Sequence, residues 1–209
     1  MKTAIKSAIY IGFSLLCANV FAATVAIEIY KGKRGDVVVV TSDGGRSFMI
    51  AGGASPRGAA TAGDCFAKAT LKIKRPPNYY EGELEPVKNE IADLSVEDVS
   101  GKGVGAYLFR NKIKIGNVEV DGICADGVDF SGYYHKLEVG DKRYESIFMY
   151  FMRLASQDAA YRESGGNVAA AINDLRPFVE NYKEEWRANE SNKNLIDLTN
   201  KKYRRLIGR

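Results

Sequence analysis

Histidine is nearly missing from this sequence: His135 is the only one in 209 residues. Imidazole-based zinc sites and Ser-His or Cys-His catalysis need a histidine with partners at suitable spacing, so neither chemistry is expected. Cysteine is scarce too, with Cys17, Cys65 and Cys124 and no Cys-x-x-Cys pair, which excludes a redox dithiol of that type. No charge sign dominates: 30 basic residues face 26 acidic ones, for a net +4. A nucleic-acid partner normally shows itself through a strongly basic domain and is not expected.

Cofactor signatures are also lacking. Gly101-Lys102-Gly103-Val104-Gly105 has no Gly-Lys-Ser/Thr ending, and a strand rather than a helix follows it. It reads as a turn or loop, as does 52–63. Asp121, Asp126 and Asp129 surround Cys124 without the spacing of a twelve-residue calcium loop. Glu81, Glu83 and Glu85 share one strand face and suit a solvated edge. No catalytic residue, metal ligand or cofactor is therefore assigned. A carboxylate-based envelope hydrolase, which needs two carboxyls across a cleft, stands only as a third possibility.

Long hydrophobic runs are absent but for one. Lys2 and Lys6 precede the apolar stretch from Ala8 to Val20, and Val20-Phe21-Ala22 offers a cleavage site. These are the three parts of a secretory signal peptide spanning 1–22, with cleavage expected after Ala22. The run is short for a membrane span, and Leu16 before Cys17 disfavours lipid anchoring. A chain of 23–209 in the periplasm is the expectation, with 28 basic residues against 26 acidic once Lys2 and Lys6 leave. Cys65 and Cys124 then remain, and an even pair in an oxidising compartment reads as a disulfide.

The rest of the chain has two characters. From 23 to 139 it is rich in β-branched, aromatic and glycine residues, with frequent turn signals. Val25-Ile27-Ile29 alternates with polar neighbours, 37–40 and 47–51 are short apolar runs, and Asp43-Gly44-Gly45 is a hairpin signal. Between 65 and 74, Cys65, Ala67, Ala69, Leu71 and Ile73 face one way and Lys68, Thr70, Lys72 and Lys74 the other. Further strands are expected at 79–87, 104–109, 113–115, 118–120 and 128–134, with Gly116-Asn117 as a turn. There is no room for helical crossovers, so the sheet should be antiparallel, a small barrel or sandwich.

From 140 to 209 the period becomes helical. Tyr144, Ile147, Phe148, Phe151 and Ala155 share a face, Ser164-Gly165-Gly166 ends that helix, and Asn167 caps the next. Val168, Ile172, Leu175, Val179, Tyr182 and Trp186 continue a stripe that Pro177 should kink or break. A last helix is expected from Lys193 to about Leu206. The fold class is thus α+β, an antiparallel β-module followed by about three helices. The helices either cover the sheet or form a separate subdomain, with the second arrangement favoured.

Cys124-Ala125-Asp126-Gly127-Val128-Asp129-Phe130-Ser131-Gly132-Tyr133-Tyr134 resembles the closing strand of small periplasmic β-proteins of the lysozyme-inhibitor type. In those a cysteine precedes Val-x-Phe-x-Gly-x-Tyr and pairs with a cysteine on an earlier strand, here Cys65. The resemblance covers Cys65 to Lys136 and implies a disulfide-closed β-module. A rigid secreted module without catalytic residues points to an inhibitor or immunity protein that blocks a toxic or lytic envelope enzyme by occlusion. Tyr79, Tyr80, Tyr133, Tyr134 and His135 are its candidate binding residues, because tyrosine supplies contact area at low entropic cost. The alternative is a structural or assembly component of an envelope complex docking through the helices. Lys201, Lys202, Arg204, Arg205 and Arg209 are the one place where membrane contact is expected.

Overall fold

A computed structural model describes residues 25–43, 45–52, 65–125 and 127–208 of the chain. The expected signal peptide, Cys17, Asp126 and Arg209 lie outside these residues. The strands are β1 (Ala26–Gly32), β2 (Gly35–Ser42), β3 (Gly45–Gly52), β4 (Cys65–Arg75), β5 (Tyr79–Glu83), β6 (Val87–Lys88), β7 (Asp93–Leu94), β8 (Gly103–Leu108), β9 (Lys112–Val118) and β10 (Gly132–Lys136). The helices are α1 (Val96–Val99), α2 (Lys142–Ser164), α3 (Val168–Asn181) and α4 (Glu190–Ile207), with a 3₁₀ turn, Glu184–Ala188, before the last.

Eight strands close into an antiparallel barrel in the order β1-β10-β9-β8-β5-β4-β3-β2. This is a simple meander whose ends meet where β10 lies against β1, Tyr30 opposite Lys136 and Gly32 opposite Tyr134. Among the described residues, the β5–β8 connection is elaborated by the β6–β7 ribbon and α1. An eight-stranded barrel is just wide enough for side chains to fill it. Here Tyr30, Phe48, Ile50, Ile113, Ile115 and Tyr134 do so, each under 2% exposed.

The α+β prediction therefore holds, and the β-module is a barrel rather than a sandwich. Several boundaries differ. The expected strands 113–115 and 118–120 are one, β9, because Gly116-Asn117 sits at a β-irregularity opposite Gly105/Ala106 instead of a turn. The expected strand 79–87 ends at Glu83, after which Leu84 makes one bridge to Ala69 and Val87 pairs with Leu94. Gly103 and Gly105 belong to β8, not to a loop. Pro177 lies inside α3 without ending it, and Trp186 falls in the 3₁₀ turn rather than on a continued helix.

Half of the barrel wall is not solvated. In β2 all four of Val37 to Val40 are buried, and in β3 Phe48 to Ala51 are too. One set fills the barrel and the alternate set lies under the helices. Phe66 of β4 meets Phe151 of α2 with ring centroids 6.2 Å apart. Behind it Phe148 packs on Phe178 at 5.4 Å and on Trp186 at 4.9 Å. One hydrophobic cluster thus runs from Val25 through the barrel wall to Ile196 of α4, and a second, Ala159, Ala171, Leu175 and Leu206, joins the three helices to one another. The helices cover the sheet.

Lys68, expected on a polar strand face, is consequently only 7% exposed. Its ammonium bonds Asp174 of α3 and lies 3.5 Å from Asp158 of α2 and 3.6 Å from Glu85. Arg162 completes the cluster, 3.2 Å from Asp158, 2.9 Å from Asp174 and 3.3 Å from Glu85. One buried cation from the sheet therefore holds two helices. Removing one partner of such a network leaves a buried charge uncompensated. Burial pushes Asp174 up to about 6, against the pull of Lys68 and Arg162. Carboxylates around Lys68 hold the ammonium above its ordinary range despite its burial.

The disulfide joins Cys65, the first residue of β4, to Cys124 in the β9–β10 connection, with Cα atoms 5.7 Å apart. It closes a sequence separation of 59 residues. Replacing both cysteines by alanine should lower unfolding free energy by about 4 kcal/mol, read from urea midpoints with and without reductant. For Asp174 the folded state binds a proton more tightly than the unfolded chain, so its contribution to stability declines as pH rises from about 4 to about 6 and is level above that. In urea titrations across that range the wild type should lose stability relative to Asp174→Asn, and the two curves should run parallel above pH about 6.

Candidate binding face

The helices cover β1 to β4 and leave the wall of β5, β8, β9 and β10 open. Directly opposed residues in a sheet share a face. Tyr79 opposes Tyr107, Tyr107 opposes Lys114, and Lys114 opposes Tyr133, so four side chains from four strands form one transverse row. One step towards the β8–β9 turn lie Phe109, Lys112 and His135, with Lys112 opposite His135.

The row is knit by ring and cation contacts. Tyr79 and Tyr107 have centroids 4.7 Å apart, and Tyr107 stacks on Phe109 at 6.5 Å with planes 13° apart. Lys112 lies over Phe109 at 5.5 Å and over Tyr133 at 5.2 Å. Lys114 lies over Tyr107 at 5.9 Å and Tyr133 at 5.8 Å, and Arg75 over Tyr79 at 5.5 Å. Each contact contributes about 0.5–1 kcal/mol at an exposed site. The Tyr79 hydroxyl donates to Glu81 at 2.9 Å, and that bond raises its pKa. Gly105 makes room for it: a Cβ there would lie 3.0 Å from the Tyr79 oxygen. Phe109 is 38% exposed and Tyr133 53%, unusual for rings this size.

Of the five binding residues expected from sequence, three lie on this wall: Tyr79, Tyr133 and His135. The other two are corrected. Tyr134 points into the barrel, 1% exposed, and its hydroxyl donates to the Phe130 carbonyl at 2.7 Å. Gly32 opposite it is obligatory, since a Cβ would stand 2.5 Å from the ring. Tyr80 opposes the buried Ala106, and its hydroxyl is bonded by Arg46, whose guanidinium lies 4.7 Å over the ring. Adjacent residues in a strand face opposite sides, so a Tyr-Tyr pair places only one ring outside. Tyr107, Phe109, Lys112, Lys114 and Arg75 were not anticipated. Their alternation was visible, but not the register that brings them together.

The other expected clusters are scattered or engaged. Asp129 bonds Arg34 and the Ser131 amide, and Asp121 contributes only its carbonyl, to Lys102. Among the described residues no group of three or more His, Cys, Asp or Glu side chains is arranged to hold a metal. No described helix is long and apolar enough to cross a membrane. In the basic C-terminal cluster Lys202 donates to the Ser156 carbonyl at 3.0 Å and Arg205 pairs with Glu163 at 2.6 Å.

The fold and the face together define a class, a disulfide-linked eight-stranded antiparallel barrel with a helical layer on one side and an aromatic–cationic wall on the other. Comparison with protein-family models, with curated proteins and with solved structures found no match. Stability should separate the two neighbouring tyrosines. Tyr134→Ala should cost about 3–5 kcal/mol and Tyr133→Ala, which gives up two exposed cation–ring contacts, about 1–2 kcal/mol in chemical denaturation.

Proposed function

We propose that the protein is a periplasmic binding protein, exported through residues 1–22, that works by occlusion as an inhibitor or immunity protein against a toxic or lytic enzyme of the envelope. The observation that carries this is the outward-facing row Tyr79–Tyr107–Lys114–Tyr133 with Phe109 and Lys112 beside it, in which Tyr133, Lys114 and Phe109 are exposed and the others half-buried. Aromatic rings interleaved with cations are the composition of interface hot spots. They stand on a closed barrel, so little conformational entropy is lost on docking. The disulfide is compatible with an oxidising compartment. The cations favour an acidic partner surface.

The competing possibility, docking through the terminal helix, cannot be tested by deletion. Ile196, Thr199 and Leu206 of α4 are buried, so its removal would open the core. Point changes at the exposed Leu198 and Lys201 are the suitable probes.

Tagged protein recovered from the native envelope should bring a stoichiometric enzyme whose activity falls on titration with the purified chain. Tyr133→Ala and Lys114→Ala should each weaken that inhibition by roughly ten- to thirty-fold in Kd, whereas Leu198→Ser and Lys201→Ser should not. The reverse pattern would favour the assembly-component role. Turnover of peptidoglycan by the protein alone would favour a hydrolase.

A further inference from the structure

We infer that the cleft between the outer face of β2 to β4 and the helices binds a small ligand carrying a primary ammonium on an aliphatic body. Sheet and helices meet there through short side chains. Val40 opposes Ser47 and Ser47 opposes Thr70 on the outer face of the sheet. Ala155 of α2 and Ala170 of α3 line the helical side, and a cavity of about 350 Å³ is left between them. That volume lies within the range of small-molecule sites. Val25, Met49, Phe66 and Pro177 add apolar wall, and the floor is the charged cluster of Lys68, Glu85, Asp158, Arg162 and Asp174.

That floor is one positive charge short, since three carboxylates share two cations. Their oxygens are not equally served. Glu85 accepts from the Thr70 hydroxyl at 2.7 Å and from Arg162 at 3.3 Å. Asp158 accepts the Lys88 amide at 3.1 Å and the Arg162 Nε–H at 3.2 Å. Asp174, its side chain only 6% exposed, accepts from Lys68 through Oδ1 alone. Its Oδ2 lies 2.9 Å from Arg162 Nε, but that nitrogen carries a single hydrogen, already given to Asp158, so Oδ2 has no hydrogen-bond partner. A buried carboxylate oxygen left in this way is costly. As the side chain stands Oδ2 is shielded from solvent, and a turn about the soft terminal torsion of aspartate presents it to the cavity. An ammonium supplies both the missing charge and the missing hydrogens, while its aliphatic body lies against Val40, Met49 and Phe66. A carboxylate would instead add a fourth negative charge to the floor, and an alcohol would bring a hydrogen without charge. At the mouth Arg46 is bonded to Tyr80, and Arg176 to Glu180 at 2.7 Å.

Calorimetric titration of the purified protein at about pH 7.5 with hexylammonium and with ω-aminohexanoate tests this, with hexanoate and hexanol as controls. The expected Kd for hexylammonium is about 1 mM or tighter, with both controls about tenfold weaker or more. Burial holds Asp174 at about 6, facing Lys68, Glu85, Asp158 and Arg162, with Asp43, Arg46 and Arg176 at the mouth. Its protonation removes the surplus charge, so affinity should fall about tenfold from about pH 7.5 to about pH 5. Asp174→Asn should weaken binding by about tenfold or more and remove that pH dependence. Ala170→Leu fills the cavity from α3 without changing a charge, and carries the test if the asparagine variant fails to fold. Tighter binding of aminohexanoate supports the site and marks an amino acid whose carboxylate meets the mouth arginines. Tighter binding of hexylammonium supports it and marks a simple amine. No heat from either amine, a control that binds as tightly, or full affinity in both folded variants overturns the site. The cavity shares no residue with the Tyr79–Tyr107–Lys114–Tyr133 row, so amine binding and enzyme inhibition stand or fall separately.

Discussion

The pairing of β10 with β1 is the contact on which the rest of this molecule depends. Once that edge is closed, every strand residue is committed either to the barrel interior or to its outer wall. The interior is then filled by large side chains such as Tyr134, which only Gly32 opposite can accommodate. The outer wall of β1 to β4 is left with Phe66, Val38, Val40 and Met49, too apolar to face water, and the helices cover it. What the helices do not reach becomes the binding face.

The attachment of the helices combines two unequal forces. Aromatic packing of Phe66, Phe151, Phe148, Phe178 and Trp186 is non-directional and supplies most of the burial. The Lys68 cluster supplies direction. Its geometry is satisfied only when β4, α2 and α3 are all in place, so it fixes how the layer sits even where its net energy is small. The burial that fixes this geometry also makes the joint's stability depend on pH, through the raised pKa of Asp174.

Much of this was legible in the sequence. The alternation from Cys65 to Ile73 marked a strand and its inward face, and the stripe from Tyr144 to Ala155 marked a helix that buries aromatics. Asn167 and Gly165-Gly166 marked caps. Other features depend on contacts remote in sequence. Gly116-Asn117 looks like a turn until the pairing with β8 shows Gly116 to be the extra residue of a bulge in β9. Pro177 stays in a helix whose other contacts outweigh one lost hydrogen bond. Lys68 reads as solvated because the element that buries it lies about a hundred residues further on. The candidate face was half legible: tyrosine enrichment located it, but period-two geometry makes Tyr80 and Tyr134 inward residues. The cations that organise Tyr79 and Tyr133 belong to strands whose register only the closed barrel specifies.

The meander also imposes an order in time. β1 is the first strand to leave the ribosome, yet one of its two edges stays unpaired until Gly132–Lys136 has emerged more than a hundred residues later. Cys65 likewise waits for Cys124. During that interval the growing chain presents an open strand edge carrying Ile27 and Ile29, the kind of surface that pairs with neighbours of its own kind. A protein built this way gains from being kept extended until it is whole, and from an oxidant that acts late, after the last strand has arrived.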